Sequence, residues 1–295
     1  VRRVRRGAPF MAVRITAFAW CFLAIDVAGV AVAFIQWLTA GFGPGRPRRL
    51  LDWAYALQKG WARALFDSAR RIFSLRFEVE GDDVIEPAPI IAFFRHASIV
   101  DNLLPAIFVL HRHDVRLRWV IKRELLSDPA LDVGGHRLPN YFVDRKSTDS
   151  AGEIARIAGL ADELGPGDGV LLFPEGTRFT PKKRQRVLTK LSGGDPAIYD
   201  MARKLRHVLP PRLGGPLAVL GSGYDVVFCA HEGLDGFASV GDIWQGGMVG
   251  RTVRLRFWRV PAAAIPTERS ERIEWLYSQW QAIDDWIEQR RRPDS

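Results

Sequence analysis

Apolar positions along the chain follow three patterns. The first is continuous: residues 15–41 read ITAFAWCFLAIDVAGVAVAFIQWLTAG. That length matches a hydrocarbon core of about 30 Å. Asp26 in the middle costs on the order of 2.5–3.5 kcal/mol on insertion scales, which the surrounding Phe, Leu, Ile and Val offset. Trp20 and Trp37 lie toward the two ends, where interfacial anchors sit. The stretch is expected to be a retained membrane helix. A buried or re-entrant hairpin and a cleaved signal peptide are the competing readings. The apolar stretch is longer than a usual signal core, and LTAG is a poor cleavage site.

The second pattern has helical period. Leu50, Trp53, Leu57, Trp61 and Leu65 recur along one stripe, with Lys59, Arg63, Arg70 and Arg71 elsewhere. This predicts an amphipathic helix over 50–74, lying in the membrane interface or packed on the domain. AGEIARIAGLADEL is a further helix. So is the C-terminal ERIEWLYSQWQAIDDWIEQRRR, with Ile273, Leu276, Trp280, Ile283 and Ile287 on one stripe, expected to pack on the domain.

The third pattern is strand-like. LRFEVEG alternates, while PIIAFF and GVLLFPEG are short apolar runs bounded by Gly or Pro, and YDVVFCA and VRLRFWRV follow later. Strands interleaved with helices predict an α/β fold, a mixed and largely parallel sheet flanked by helices and preceded by the membrane helix. The division is then 1–49 for a basic segment and membrane helix (about 15–41), 50–74 for the amphipathic helix and 75–295 for the α/β domain. A chain of 295 residues allows one sizeable domain with additions.

Charge narrows the partners. With 42 Lys+Arg against 33 Asp+Glu the net charge is +9, which suits nucleic acid, an anionic membrane surface or a phosphorylated substrate. VRRVRR and GRPRR flank the apolar stretch on both sides, so charge does not set its orientation. Cys21 and Cys229 both sit in apolar runs, which fits buried thiols and neither a disulfide framework nor a zinc site.

The candidate chemistry lies just past the strands. PIIAFF is followed by RHASIVD. On a regular helix His96 and Asp101 would point roughly 140° apart. They meet only if His96 sits in the loop and Asp101 in the first turns of a helix. An aspartate on one imidazole nitrogen fixes the tautomer and leaves the other to take a proton from a hydroxyl. GVLLFPEGTRFTP places Glu175, Gly176, Thr177 and Arg178 beyond another strand, where open α/β sheets bind ligands. Arg178 offers a fork for phosphate, Gly176 allows close backbone approach, and Glu175 is suited to a substrate hydroxyl or a basic partner. Arg145 follows an apolar run in LPNYFVDR, and HVLPPRLGG carries a basic residue before a Gly turn. His111 and His113 form a pair without acidic or Cys partners, so no metal site is expected. His136 stands close to the candidate cleft or in a loop, and His207 and His231 have no evident partner. PKKRQR reads as a basic rim of the lipid or donor site, or a solvated face, before a nucleic-acid patch. No G-x-S-x-G elbow, P-loop or GxGxxG occurs.

HASIVD matches the H-x4-D motif of the glycerolipid acyltransferases, and FPEGTR resembles the phosphate-site motif of that family. YFVDR resembles its intermediate motif ending in Arg. The chain thus resembles the 1-acylglycerol-3-phosphate acyltransferase (PlsC-like) type. The order FPEGTRFTPKKRQ, HVLPPRLGG, YDVVFCA, EWLYSQW is similar to the lysocardiolipin and lysophosphatidylinositol acyltransferase branch. The likeness runs from about Arg76 to Trp286.

The resemblance implies a membrane-bound acyltransferase with His96 as general base and Asp101 supporting it. Arg145, Glu175, Gly176, Thr177 and Arg178 would hold the phosphate. The partners it implies are a lysophospholipid acceptor, foremost 1-acylglycerol-3-phosphate, an acyl-CoA or acyl-carrier-protein donor, and the bilayer. No cofactor, metal or nucleic acid is implied. The alternatives are a lysophospholipid with a larger headgroup (lysocardiolipin, lysophosphatidylinositol or lysophosphatidylglycerol), or a lipid-binding relative without turnover. Arg95 stands where the family usually has Asn, and the long C-terminal extension of the eukaryotic branch is missing. That implies a compact bacterial version at the inner membrane, its domain on the cytoplasmic side.

Overall fold

The computed structural model describes residues 8–144, 149–237, 239–245 and 247–291. Its strands are β1 (Arg76–Glu80), β2 (Ile90–Phe94), β3 (Arg116–Lys122), β4 (Tyr141–Val143), β5 (Asp168–Leu172), β6 (Asp225–Glu232) and β7 (Thr252–Val260). The longer helices are α1 (Ala8–Thr39), α2 (Arg46–Ile72), α3 (Leu103–Pro105, continuing as a π-helix over Ala106–His111), α4 (Pro129–Gly135) and α5 (Ser150–Ala158). They continue with α6 (Pro181–Leu191), α7 (Pro196–Lys204), α8 (Gly214–Leu220), α9 (Val240–Trp244) and α10 (Arg269–Arg291).

The strands form one sheet in the order β1-β7-β6-β2-β5-β3-β4. Neighbours run parallel except β6 and β7, which are antiparallel. The mixed, largely parallel sheet is therefore as the patterning predicts. β2 lies between β5 and β6, with Ile90 opposite both Gly169 and Asp225. A central strand covered on both faces has no polar side, which is why all five residues of β2 are apolar and buried.

Strand alternation splits the core in two. Ile91, Phe93, Val170, Leu172, Val226 and Phe228 face α5, α6, α7, α8 and α10. Ile90, Ala92, Phe94, Leu171, Val227 and Cys229 face α2 and the π-helical turn. The expected stripe of α10 is packed inward, with Leu276, Trp280, Ile283 and Ile287 buried. Cys229 is a buried thiol and Cys21 is partly exposed on α1.

The apolar N-terminal segment is helical from Ala8, earlier than the expected start, to Thr39. Its stretch Phe10–Thr39 is long and apolar enough to cross a membrane, with only 11% of the most apolar window buried. A core helix would be mostly covered. Phe10, Trp20, Leu23, Phe34 and Trp37 are all exposed. Yet α1 does not stand away from the domain. Asp26 Oδ1 accepts a hydrogen bond from Trp61 Nε1 at 2.8 Å. Gln36 donates to the Trp53 carbonyl at 3.2 Å, and Arg137 donates to the Ala33 carbonyl at 2.8 Å. α2 accordingly has two working faces. Ala62, Leu65, Phe66 and Ala69 are buried, the first and third of them in the core beneath the sheet. Of the predicted stripe, Trp61 meets α1 through its indole N–H and Trp53 through its backbone carbonyl, while Leu65 belongs to the buried face.

Candidate active site

Three segments meet where β2 and β5 end. β2 stops at Phe94, and the chain enters a loop at Arg95 and His96. β5 stops at Leu172 and turns through Phe173, Pro174, Glu175 and Gly176. The third segment is the loop from His207 to Arg212, ahead of α8.

Both backbone groups of His96 are held by the β5 loop. Its N–H donates to Glu175 Oε1 at 2.7 Å, and its carbonyl accepts from the Phe179 N–H at 2.7 Å. The other Glu175 oxygen accepts from the Leu209 N–H at 2.8 Å, and the Arg212 N–H donates to the Pro174 carbonyl at 2.8 Å. Glu175 is thus a strap across all three segments. Gly176 has φ +65°, so a side chain there would strain the turn, and its Cβ would lie 2.6 Å from Arg212 Nε and force that side chain to shift.

The His96 ring lies over Phe173, with centroids 4.5 Å apart. Asp101 sits in a short 3-10 turn, Val100–Asn102, as the spacing required. Its Oδ2 accepts from the N–H groups of Ala97 and Ser98 and lies 3.3 Å from His96 Nδ1. That contact assigns the proton to Nδ1 and leaves Nε2 with its lone pair. Nε2 has no partner among the described residues.

Burial pushes the His96 pKa below its usual 6.5, and the cations Lys122 and Arg178 push the same way against the pull of Asp101. Asp101 is fully buried. Burial opposes its charge, but His231, His96 and the Ser98 amide hold it below the usual carboxylate range. Burial pushes the Glu175 carboxyl up to about 8, opposed by Arg95 and the two amide donors. The arrangement is a neutral imidazole with one free nitrogen, backed by a buried carboxylate and faced by positive charge. Such a group takes a proton from a hydroxyl.

The remaining predicted residues fall as follows. The Arg178 guanidinium makes no hydrogen bond or ion pair among the described residues. Thr177 Oγ1 accepts from Lys183 Nζ at 3.0 Å, and the same ammonium donates to the Arg178 carbonyl at 2.9 Å. Glu175, expected to touch substrate, instead commits both oxygens to backbone amides. Arg145 lies outside the described residues. His136 packs on Phe142 at the end of α4. His113 pairs with Glu86 and Asp82, and His111 lies against Arg63. Among the described residues no group of three His, Cys, Asp or Glu side chains is arranged so that it could hold a metal ion.

Two groups named in the sequence, but given no partner there, lie beside the site. His231, fully buried on β6, has Nε2 3.0 Å from the Arg95 carbonyl and 3.6 Å from Asp101 Oδ2. Arg95, fully buried, is ion-paired with Asp235 and donates to the His231 and His207 carbonyls at 2.6 and 2.8 Å. Arg291 of α10 also reaches Asp235, at 2.8 Å. A histidine closing the apolar run VVFCAH was the available signal, since a polar residue buried there needs a partner.

Residues 76–214, slightly under half of the chain, match the Acyltransferase family model. No curated protein matches the chain. Among solved structures, the fold is similar to the 1-acyl-sn-glycerophosphate (LPA) acyltransferase PlsC from Thermotoga maritima, with a TM-score of 0.60. The match covers 97% of this chain and 99% of that one at 15% sequence identity.

Proposed function

With residues 76–214 an acyltransferase-family domain on a PlsC-type fold, we propose that the protein moves a fatty acyl group from a thioester to the free hydroxyl of a lysophospholipid. 1-Acylglycerol-3-phosphate is the foremost acceptor. The observation that carries this reading is the His96–Asp101 contact with Nε2 left open beside Arg178.

The acceptor hydroxyl gives its proton to His96 Nε2 as its oxygen attacks the thioester carbonyl carbon. The tetrahedral intermediate collapses, the C–S bond breaks, and the thiolate takes the proton back from His96. Asp101 holds the tautomer and stabilises the transient imidazolium. Arg178, with the Gly176–Thr177 turn and Arg145, receives the acceptor phosphate. Glu175 keeps His96 in place through its N–H. The donor is acyl-CoA or an acyl-carrier protein, and the chemistry calls for no cofactor. The acyltransferase domain is then 75–295, with α2 joining it to α1. The exposed apolar flank of α1 supports a bilayer location, with the domain on the cytoplasmic side where acyl donors are made.

The test is acyl transfer by detergent-purified protein across a panel of lysophospholipids, beside His96→Ala. Transfer in the wild type should fall by about 10²–10⁴ in the variant. Near-normal turnover without the imidazole would refute the assignment of His96.

A further inference from the structure

One strongly charged surface has no part in this chemistry. α6 starts three residues after Arg178, and its sequence PKKRQRVLTKL contains no acidic residue. Lys182, Arg186 and Lys190 recur at i, i+4 and i+8, which places them on one face in a row of roughly 12 Å. All three are exposed, and none has an ion pair or side-chain hydrogen bond among the described residues. Like charges at this spacing disfavour a helix unless something outside it answers them.

The other two cations of α6 fix it in place. Lys183 is tied to the Thr177–Arg178 turn, and Arg184 donates to the carbonyls of Leu205 and Arg203. The row is therefore held in a set position at the mouth of the site. Its side of the molecule is also defined. Leu188 buries α6 against the sheet face carrying Val170 and Leu172, whereas α2, and α1 beyond it, cover the opposite face. The row thus looks away from the apolar flank of α1. Compact phosphates need converging donors in a hollow, whereas three cations in line along a convex helix suit the acidic side of a macromolecule.

We propose that Lys182, Arg186 and Lys190 form the docking row for an acidic acyl-carrier protein, which approaches from the sheet face opposite α1 and presents its thioester at His96. This rests on the acyl-transfer reading above and adds where the donor's carrier sits. The test uses the full chain in detergent and a fluorescently labelled acyl-carrier protein, with anisotropy read at increasing NaCl. The Lys182→Glu/Arg186→Glu/Lys190→Glu variant should bind about tenfold or more weakly, and wild-type binding should weaken with salt. The KM for acyl-CoA should not change. A Gln triple variant, with thermal unfolding as a check on folding, should fall between the two and keeps the test decisive if the Glu variant misfolds.

Carrier binding that is absent, or indifferent to the substitutions, overturns the proposal. An equal rise in the KM for acyl-CoA would assign the row to nucleotide phosphates. Loss of binding to anionic vesicles with carrier binding intact would assign it to lipid. Turnover with acyl-CoA but no carrier binding sinks the docking row alone. Row-dependent carrier binding with no turnover on either donor sinks the enzymatic reading instead.

Discussion

Asp235→Ala removes the carboxylate that lets an arginine sit beneath the candidate site, together with its more exposed contact to Arg291. Arg95 is fully buried, and among the described residues its guanidinium has Asp235 as its one carboxylate partner besides two backbone carbonyls. Despite burial, Arg95 holds the Asp235 carboxyl well below the usual carboxylate range. Removing one member of a buried ion pair costs about 3–5 kcal/mol, because the other charge is left uncompensated. Asp235 keeps 20% of its side chain exposed, so water reaches one edge and the lower figure, about 3 kcal/mol, applies. At roughly 2–4 °C per kcal/mol this is a fall of about 6–12 °C in Tm. Thermal unfolding in detergent reads it, with Asp200→Ala as the control. That residue pairs with Arg203 at the surface, 59% and 58% exposed, and should shift stability by no more than about 1 kcal/mol. Adding Arg95→Asn to Asp235→Ala should recover part of the loss, since the orphaned charge is gone. An Asp235→Ala protein as stable as the control would refute the reasoning.

Activity should rise with pH through a midpoint below 6.5, because His96 must be neutral to accept a proton and burial lowers its pKa. Arg178→Ala removes one of the cations lowering it. The acid limb of the kcat/KM profile should therefore move to higher pH, and the acceptor KM should rise about ten- to a hundredfold. An unmoved limb with an unchanged KM would exclude Arg178 from the site. Glu175→Gln leaves either the His96 or the Leu209 N–H facing an amide donor, at about 1–3 kcal/mol, so Tm should fall while the acceptor KM holds. A raised KM at unchanged Tm would make Glu175 a substrate ligand after all.

The sheet was legible because β2 and β5 are short apolar runs with breakers at each end, and a strand buried on both faces has no other way to be written. The His96–Asp101 pairing was legible because five-residue spacing admits a contact only across a loop-to-turn junction. The strap made by Glu175 was not legible, because its partners, the His96 and Leu209 amides, are backbone groups that no side-chain pattern announces. Arg95 stood next to His96 in sequence, yet both lie in the loop past the end of β2, where no strand or helix period says which way a side chain turns. Its partner Asp235 is far along the chain, on the loop after β6, and only the β2–β6 pairing brings the two together. His231 shows the same limit: nothing local says that β6 lies beside β2.

The docking of α1 along α2 has a further consequence. A helix joined only by a flexible tether would let the domain sample many heights above a membrane. Here Asp26, Ala33 and Gln36 are all held by the folded domain, so α1 and the cleft move as one body. Once the exposed flank of α1 enters a bilayer, the depth of His96 relative to the headgroups is fixed. Acceptor supply would then follow the mole fraction of lysophospholipid in the surface rather than its bulk concentration. Diluting the acceptor with inert lipid, at constant total acceptor, would slow the reaction.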